Sequence, residues 1–405
     1  MTERFDVVVV GAGQAGLSIS HELAHAGVDH VVLERSRVAE TWRSRWDSFC
    51  LVTPNWSVNL PGQPYSGADP EGFMARDELV AYFDAYARSF KAPVREGVNA
   101  TELVLRDDGG FLLRTSAGGF EAREVVIASG GYQKPYRPAG TADLPPGLHV
   151  IDVEQYSNPG ALPEGAVLVL GSGQTGCQLA EELCEAGRDT YLACGRAPWV
   201  LRRIEGRDTL ELLFKQTPFM EVTLAMLPSP AARLGANPQA SGHRGGHDLT
   251  YRTLRAMGVH LLGRFTGAEG HTAHFADDLG ESVTFGDARY TELCDMIRTS
   301  FSARGETPPE MPPPAPFHAD APLSIDLSDF GAVICTAGFR PDYSWVKAPA
   351  AFDAMGFPVQ VDGTSTVVPG MHFMGVHFQR KRKSAVLYGV AEDASVLAER
   401  MLARA

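Results

Sequence analysis

No two cysteines of the 405-residue sequence stand in a CxxC arrangement, although six are present: Cys50, Cys177, Cys184, Cys194, Cys294 and Cys335. The chain therefore signals neither a redox-active dithiol nor a zinc knuckle. Cys177 and Cys184 fall on one expected helix, about 10 Å apart at the helical rise, beyond disulfide reach. All six read as small buried hydrophobes. Also missing is any run approaching the ~20 apolar residues of a membrane span. The opening MTERFDVVVVG lacks the basic and long apolar regions of a secretory signal, so a soluble, cytoplasmic protein is expected. Positive charge is not in excess either. A net charge of −13 speaks against nucleic acid or an anionic membrane as the main partner. With 44% hydrophobic and 21% charged residues, the chain has the composition of a packed protein, and its length suits two or three domains.

What is present is organised around residues 5–34. The apolar run Phe5–Val10 reads as a buried strand and leads into Gly11-Ala12-Gly13-Gln14-Ala15-Gly16. A helix-period segment follows to Gly27, then a second apolar strand, His30–Leu33, ending on Glu34. Strand, glycine turn, helix, strand and a terminal acid form the dinucleotide-binding fingerprint. Gly11 permits the tight turn, Gly13 lets a pyrophosphate approach the backbone, and Gly16 lets helix and strand pack closely. The helix N-terminus offers N–H groups to the pyrophosphate. The Glu34 carboxylate accepts from ribose hydroxyls and repels a 2′-phosphate, so this first site suits FAD or NAD. Arg35 and Val98 are counted with the same cofactor set.

The first helix also spells HExxH at His21–His25, a zinc-protease pattern. Its apolar side, Leu17, Ile19, Leu23 and Ala24, must cover the sheet, so both histidines are expected to face solvent and no metal is assigned. Beyond Glu34, Trp42, Arg43, Arg45, Trp46 and Phe49, followed by Thr53-Pro54-Asn55-Trp56, suggest walls for a flat ring system or an aromatic minicore under a loop. Arg76–Phe90 reads as an amphipathic helix. Residues 101–128 form a small antiparallel meander, with Glu124–Ala128 read as a further buried strand ending in Ser129-Gly130-Gly131. Residues 132–163 read as a crossover linker.

The opening pattern then repeats. Ala166–Leu170 runs into Gly171-Ser172-Gly173-Gln174-Thr175-Gly176, a helix capped by Gly187, and the strand Thr190–Ala193. The acid is missing; the chain continues Cys194-Gly195-Arg196, with Arg202 and Arg203 soon after. A guanidinium fork suits a 2′-phosphate, so the second site reads as NADPH. Residues 205–257 read as helical pieces around a Gly/His loop, 258–265 as a strand and 290–302 as a helix. The proline-rich 307–323 is expected to return the chain to the first domain. A buried strand begins at Val333, and a closing helix spans 385–404. The basic run Arg380–Lys383 is either a solvated stretch or an electropositive mouth drawing anions.

GAGQAG with Glu34, WRSRWDS, TPNW, LPG, RDELVAYF, IASGGY, GSGQTG, TAGFRPDYSW and GVAEDA together make the chain resemble the bacterial flavin-containing monooxygenase-like flavoproteins, including those described as potassium-transport flavoproteins, along nearly its whole length. The resemblance implies an α/β fold of two Rossmann-like dinucleotide-binding domains in the manner of glutathione reductase. The NADPH domain is inserted in the FAD domain: residues 1–160 and 331–405 for FAD, 161–330 for NADPH. It implies that Trp42 and Arg43 flank the flavin, that Thr53-Pro54-Asn55 faces its reactive edge, and that the Gly375 segment meets the ring. Ser129-Gly130-Gly131 and Thr336-Ala337-Gly338 would be the hinges. The implied activity is FAD- and NADPH-dependent monooxygenation of a small organic substrate through a C4a-(hydro)peroxyflavin, with O2 as co-substrate, Asn55 and Arg380 as the catalytic candidates, and a homodimer as the assembly. One departure stands out: where the family has a His-Ser pair, this chain has Asp152-Val153, with His149 as a displaced candidate. Two other readings fit the same residues, an NADPH-dependent flavin reductase or dehydrogenase without oxygen insertion, and a redox-sensing flavoprotein.

Overall fold

In the computed structural model, which describes residues 2–403, the apolar runs become the central strands of two sheets, a nine-stranded mixed sheet with a parallel centre and a five-stranded parallel sheet. The chain opens with β1 (Thr2–Val10), α1 (Gln14–His25) and β2 (His30–Leu33). β1 and β2 pair in parallel, Val7 opposite His30 and Val10 opposite Leu33. Val7–Val10 and all of β2 are buried; cover on both faces is why these runs are continuously apolar rather than alternating. Next come α2 (Arg76–Ser89), β3 (Val94–Arg95), and the meander β4 (Ala100–Leu105), β5 (Phe111–Thr115) and β6 (Gly118–Ile127). β6 lies on the other side of β1, Val10 opposite Ile127. The separate strand expected at 124–128 is the end of β6: burial alternates over 118–122, where β5 of the meander is its second neighbour, and becomes continuous over 125–127, where the strand Met371–Phe373 lies alongside it.

The second region contains β7 (His149–Asp152), β8 (Ala166–Leu170), α3 (Gln174–Glu185), β9 (Thr190–Ala193), α4 (Thr209–Gln216), α5 (Tyr251–Met257) and β10 (His260–Leu262). It continues with β11 (Phe265–Glu269), β12 (Thr272–Phe275), α6 (Leu279–Ala303), β13 (Ser324–Asp326) and β14 (Phe330–Cys335). Five strands form a parallel sheet in the order β7–β14–β8–β9–β10, while β11, β12 and β13 form a small antiparallel sheet. The chain then returns with β15 (Gln360–Val361), β16 (Thr364–Ser365), β17 (Met371–Phe373) and α7 (Val390–Leu402). β17 pairs in parallel with β6, and α7 packs on α1.

Three expectations are corrected by this layout. The sheets change hands before residue 149 and after 335, not at 160 and 330, because β7 and β14 pair with each other inside the second sheet. The proline-rich 307–323 does not return the chain to the first sheet. It runs along α5 and α6, where Tyr290 Oη donates to the Pro312 carbonyl at 2.9 Å and Arg252 Nε to that of Ala315 at 2.8 Å, and delivers β13 to β12. The helix expected from 290 starts at 279. Glycines at 280 and 286 mask it, since each lowers helix propensity. Gly286 is required by packing: a Cβ there would lie 2.9 Å from the Ala197 carbonyl oxygen.

In each parallel sheet, one strand has the next βα unit on one side and a late-arriving strand on the other. For the first sheet it is β1, between β2 and β6; for the second it is β8, between β9 and β14. The carboxyl end of such a strand is where open α/β sheets bind ligands.

Candidate functional site: twin glycine turns at the strand ends

The two glycine turns are near-copies. Gly11 N–H donates to the Leu33 carbonyl at 2.8 Å, and Gly171 N–H to that of Ala193 at 3.2 Å. Across the sheet, Ala128 donates to Val10 and Thr336 to Leu170, both at 2.9 Å. Gly11 and Gly171 hold φ of +107° and +114°, a region that favours glycine. At Gly16 and Gly176 an added Cβ would sit 1.8 Å from the carbonyl oxygen of Gly11 or Gly171, so only hydrogen lets the helix start this close. At Gly13 and Gly173 an added Cβ would meet nothing within 4 Å. These are the open positions, each at the start of a helix whose first N–H groups lack intrahelical partners. Such an open cradle fits a dinucleotide pyrophosphate at both sites.

Each turn also carries a glutamine that reaches across to a distant loop. Gln14 Nε2 donates to the Ala385 carbonyl at 2.8 Å while its Oε1 accepts from Trp42 Nε1 at 2.9 Å. Gln174 Nε2 donates to the Ala240 carbonyl at 2.8 Å and its Oε1 accepts from Ala240 N–H at 3.2 Å. Thr175 and Ala15 follow in the first helical turns, and Gly375 (φ +76°) approaches so near that an added Cβ would lie 2.8 Å from the Ala15 Cβ. The Gly375 segment is thus pressed onto the start of α1.

The sites diverge at the end of the second strand. Glu34 is 8% exposed and accepts from Ala12 N–H and Ser36 N–H, both at 2.9 Å. In the second turn the polarity of this tie is reversed. Ser172, in the place of Ala12, accepts at its Oγ from Gly195 N–H at 2.8 Å, and Cys194 stands where the acid would be. Arg196 extends beyond with its side chain 69% exposed and only a 3.9 Å approach to Glu281. Arg35 is exposed, and the Val98 N–H donates to the Glu34 carbonyl at 2.8 Å.

Several expected site residues are committed elsewhere. Arg202, assigned to the 2′-phosphate, is 2% exposed; its Nε donates to Asp208 at 2.9 Å and an Nη to the Val52 carbonyl at 2.8 Å. Burial lowers its pKa and the Asp208 carboxylate opposes that fall. It is an internal ion pair, and the assignment is corrected. Arg203 caps the Gly245 and Gly246 carbonyls at 2.7 and 2.8 Å. Arg43 binds Asp84 on α2 at 2.5 Å and the Val38 carbonyl, while Trp42 stacks toward Phe83. Thr53 Oγ1 accepts from Ser57 at 2.8 Å. Asn55, 5% exposed, donates through Nδ2 to Asp69 O at 2.9 Å and accepts through Oδ1 from Met74 N–H at 2.7 Å, so it holds the 69–74 loop. Ser129 accepts from Gln133 at 2.7 Å; Gly130 and Gly338 hold φ of +83° and +91° at the two crossings between sheets.

The electropositive mouth is corrected as well. Arg380 lies 3.0 Å from Glu392, 3.3 Å from Asp393 and 3.4 Å from Asp362. Lys381 and Lys383 each pair with both Glu221 and Glu392, at 2.6–2.9 Å. Burial would raise the Glu392 carboxyl, but the hydrogen bonds from Lys383 and Lys381 outweigh it and bring it down to about 2. Arg380 is therefore neutralised, not a free catalytic cation. His21, expected toward solvent, packs beside Tyr86 of α2 and Phe90 just after it, ring centroids 5.8 and 5.2 Å away, while His25 stays exposed. Asp152 is clamped by Arg137 at 2.8 and 3.1 Å, and His149 is an exposed β7 residue paired with Ala332.

One grouping was not anticipated. His377 and Tyr132 follow β17 and β6 at the carboxyl edge of the first sheet, ring centroids 5.4 Å apart, with the Arg45 guanidinium 5.8 Å from the Tyr132 ring. Gly131 lies against the imidazole: an added Cβ would be 2.7 Å from His377 Nε2, so any larger residue would have to displace that ring. Burial first, then the Arg233 charge, holds His377 below its usual range and so neutral. The Gly-Gly-Tyr and Gly-Val-His steps after two buried strands are the sequence signal for it.

The six cysteines are free thiols, five of them buried. Burial pushes every one upward, Cys50 and Cys335 to about 11.

Residues 8–210 match the family described as pyridine nucleotide-disulphide oxidoreductase. An uncharacterized CzcO-like oxidoreductase of Geobacillus kaustophilus is 28% identical over 400 residues, 97% of each chain. Indole-3-pyruvate monooxygenase YUCCA4 of Oryza sativa subsp. japonica is 29% identical over 261 residues, 55% of this chain and 59% of that one. A flavin-containing monooxygenase from Stenotrophomonas maltophilia superposes over 99% of both chains with a TM-score of 0.70 at 20% identity, a likeness of fold.

Proposed function

Because the chain belongs to the pyridine nucleotide-disulphide oxidoreductase family, we propose that it is an FAD- and NADPH-dependent monooxygenase that transfers one atom of O2 to a small organic substrate. The observation that carries this reading is the state of the thiols beside twin dinucleotide turns. A flavoprotein that reduces disulfides needs a reactive thiolate, made by lowering a cysteine pKa in an electropositive, accessible setting. Every thiol in this chain is shifted the other way by burial. Reducing equivalents then have no dithiol within the chain to pass to and must leave for an external acceptor, which this reading takes to be O2. The monooxygenases among the relatives agree with that choice.

When bound, FAD supplies the two-electron acceptor for the NADPH hydride and the centre at which O2 is reduced. The chain's part is binding, orientation and exclusion of water. N–H groups at the start of α1 and α3, beside the open positions Gly13 and Gly173, would hold the pyrophosphates. Glu34 takes ribose hydroxyls with the lone pairs not used by Ala12 and Ser36. Arg196 would take the 2′-phosphate, its exposed guanidinium engaged only by a long 3.9 Å contact to the equally exposed Glu281. Asn55 keeps one Nδ2 hydrogen beyond the bond to Asp69, and it is the donor assigned to the reacting edge. Arg380 acts as a positioning residue, fixing the 377–389 loop to α7.

The test is a balance sheet of NADPH, O2 and product with amine, sulfide and ketone substrates. Oxygenated product approaching one per NADPH, with one oxygen atom from labelled O2, upholds the reading; stoichiometric hydrogen peroxide with every substrate refutes it. Arg196→Ala should raise the KM for NADPH about tenfold, the worth of a charge-assisted contact of about 1.5 kcal/mol, and leave NADH unaffected. A reductase without oxygen insertion is favoured by one feature, the Arg137–Asp152 clamp where the resembled family carries His-Ser. The peroxide outcome would select it.

A further inference from the structure

Of the four basic residues Arg380–Lys383, three are neutralised by carboxylates and one is not. No carboxylate among the described residues pairs with the Arg382 guanidinium, and its Nε is buried without a hydrogen-bond partner. Its backbone N–H donates to the Val222 carbonyl at 2.7 Å, which pins the residue at the seam between the 377–389 loop and the segment after α4. The guanidinium lies 4.4 Å from the centroid of the Phe219 ring and 5.4 Å from that of Phe378. Burial pushes its pKa down with no acid to restore it. Arg382 is half-buried, and a cation partly removed from water without a counter-charge is held at a cost.

The surroundings repeat the pattern. Phe219 continues into a cluster of Phe214, Tyr388 and Trp56, with ring centroids 5.3–6.4 Å apart. Trp56 Nε1 is a second buried donor with no acceptor. Trp56 directly follows Thr53-Pro54-Asn55, the segment assigned to the reacting edge. The loop bearing Arg382 is strained on both sides of it, at Phe378 (φ +55°) and Ala385 (φ +71°). Strain of this kind persists where surrounding structure holds it, and it clusters at ligand sites. Two buried donors beside these rings, Arg382 Nε and Trp56 Nε1, have no acceptor in the structure.

We propose that Arg382 is the carboxylate anchor of the substrate site, and that the enzyme takes aryl-alkyl carboxylates whose ring lies among Phe219, Phe378 and the Trp56 cluster. The proposal rests on the monooxygenase reading for calling that ligand the substrate, but its test reads binding alone. A planar guanidinium gripping a carboxylate through two N–H bonds gives both charge and orientation. Discrimination between a carboxylate and its neutral amide should then be about tenfold to a hundredfold, as for a hydrogen bond to a charged group.

The experiment is calorimetric titration of the oxidised holoenzyme, without NADPH, with phenylacetate, 3-phenylpropionate and phenylacetamide. The carboxylates should bind at least tenfold tighter than the amide. Arg382→Gln should erase the difference, and Arg382→Lys should restore part of it. Arg382→Gln should also keep its FAD and melt no lower than the parent, because it removes a half-buried cation that no carboxylate pairs with; a purely structural arginine would lower the melting point. Equal affinity for acid and amide, no binding of either acid at millimolar concentration, or discrimination that survives Arg382→Gln overturns the proposal. So does loss of NADP⁺ affinity, in place of carboxylate affinity, in Arg382→Gln, for the cation would then serve the cofactor phosphate. An enzyme that oxygenates neutral amines and ignores these acids would refute this site and uphold the monooxygenase; carboxylate binding without any oxygenation would do the reverse.

Discussion

Replacing Gly13 by alanine separates the folding role of the glycine turn from its binding role. At Gly13 the backbone is extended (φ −82°, ψ −169°), which alanine adopts freely, and the added Cβ meets no protein atom within 4 Å. Two small effects oppose each other. Alanine is a poorer N-cap than glycine, but it narrows the unfolded ensemble, so the net change in stability should stay within about 1 kcal/mol. The new methyl group occupies the space left for the pyrophosphate. Overpacking costs about 1–3 kcal/mol, so FAD affinity should fall roughly tenfold to more than a hundredfold. Gly16→Ala is the control: its Cβ would lie 1.8 Å from the Gly11 carbonyl oxygen, and α1 must shift away from β1. That variant should unfold at lower urea both with and without FAD. The assay is urea denaturation of the FAD-free proteins, beside fluorescence titration of each with FAD. If Gly13→Ala loses as much apoprotein stability as Gly16→Ala, or binds FAD as tightly as the parent, the reading of the turn is wrong.

Two further outcomes follow from charges the fold has buried. Asp208→Asn keeps the α4 N-cap, in which Asp208 accepts from Leu210 and Glu211, yet strips Arg202 of its counter-charge; chemical denaturation should show a loss of about 3–5 kcal/mol, and a loss under 1 kcal/mol would mean that the pair does not matter. Glu392, held down at about 2, binds its proton more weakly in the folded than in the unfolded chain, so its contribution is full above about pH 4.5 and vanishes as pH falls toward 2. Its side chain is about a third exposed, and after discounting for solvent screening the contribution is about 1–2 kcal/mol. Glu392→Gln should therefore flatten the acid limb of the stability curve in that window, and an unchanged limb would show that the cluster is not coupled to folding.

Much of the fold was legible because its signals are local. The αβ units at 5–34 and 166–193 each complete strand, turn and helix within about thirty residues, and glycine spacing reports contacts inside that window. The meander and the 76–89 helix were legible for the same reason. The start of α6 was hidden because Gly286 lowers helix propensity and is placed there by contact with Ala197, far off in sequence. The course of 307–323 was misjudged because extended proline-rich chain has no periodicity to show which surface it follows. At the site, the places of Glu34 and Arg196 just past their strands follow from local order, while the Tyr132–His377 pair needed two strand ends to meet.

The sequence by itself determined the two glycine turns, the acid that ends one unit, the arginine that follows the other, and the lack of any dithiol. These depend on residue identity and near neighbours. Only the tertiary structure decided which cations are available. Arg202 meets Asp208 inside the protein, Arg380, Lys381 and Lys383 meet the carboxylates of 221, 362, 392 and 393, while Arg196 stays open to solvent with one long contact to Glu281 and Arg382 is half-buried with no carboxylate paired to it. A guanidinium is charged wherever it stands in a chain. Whether that charge is spent or free depends on which carboxylate folding brings within about 4 Å and how much water it removes, and neither quantity is written in the local order of residues.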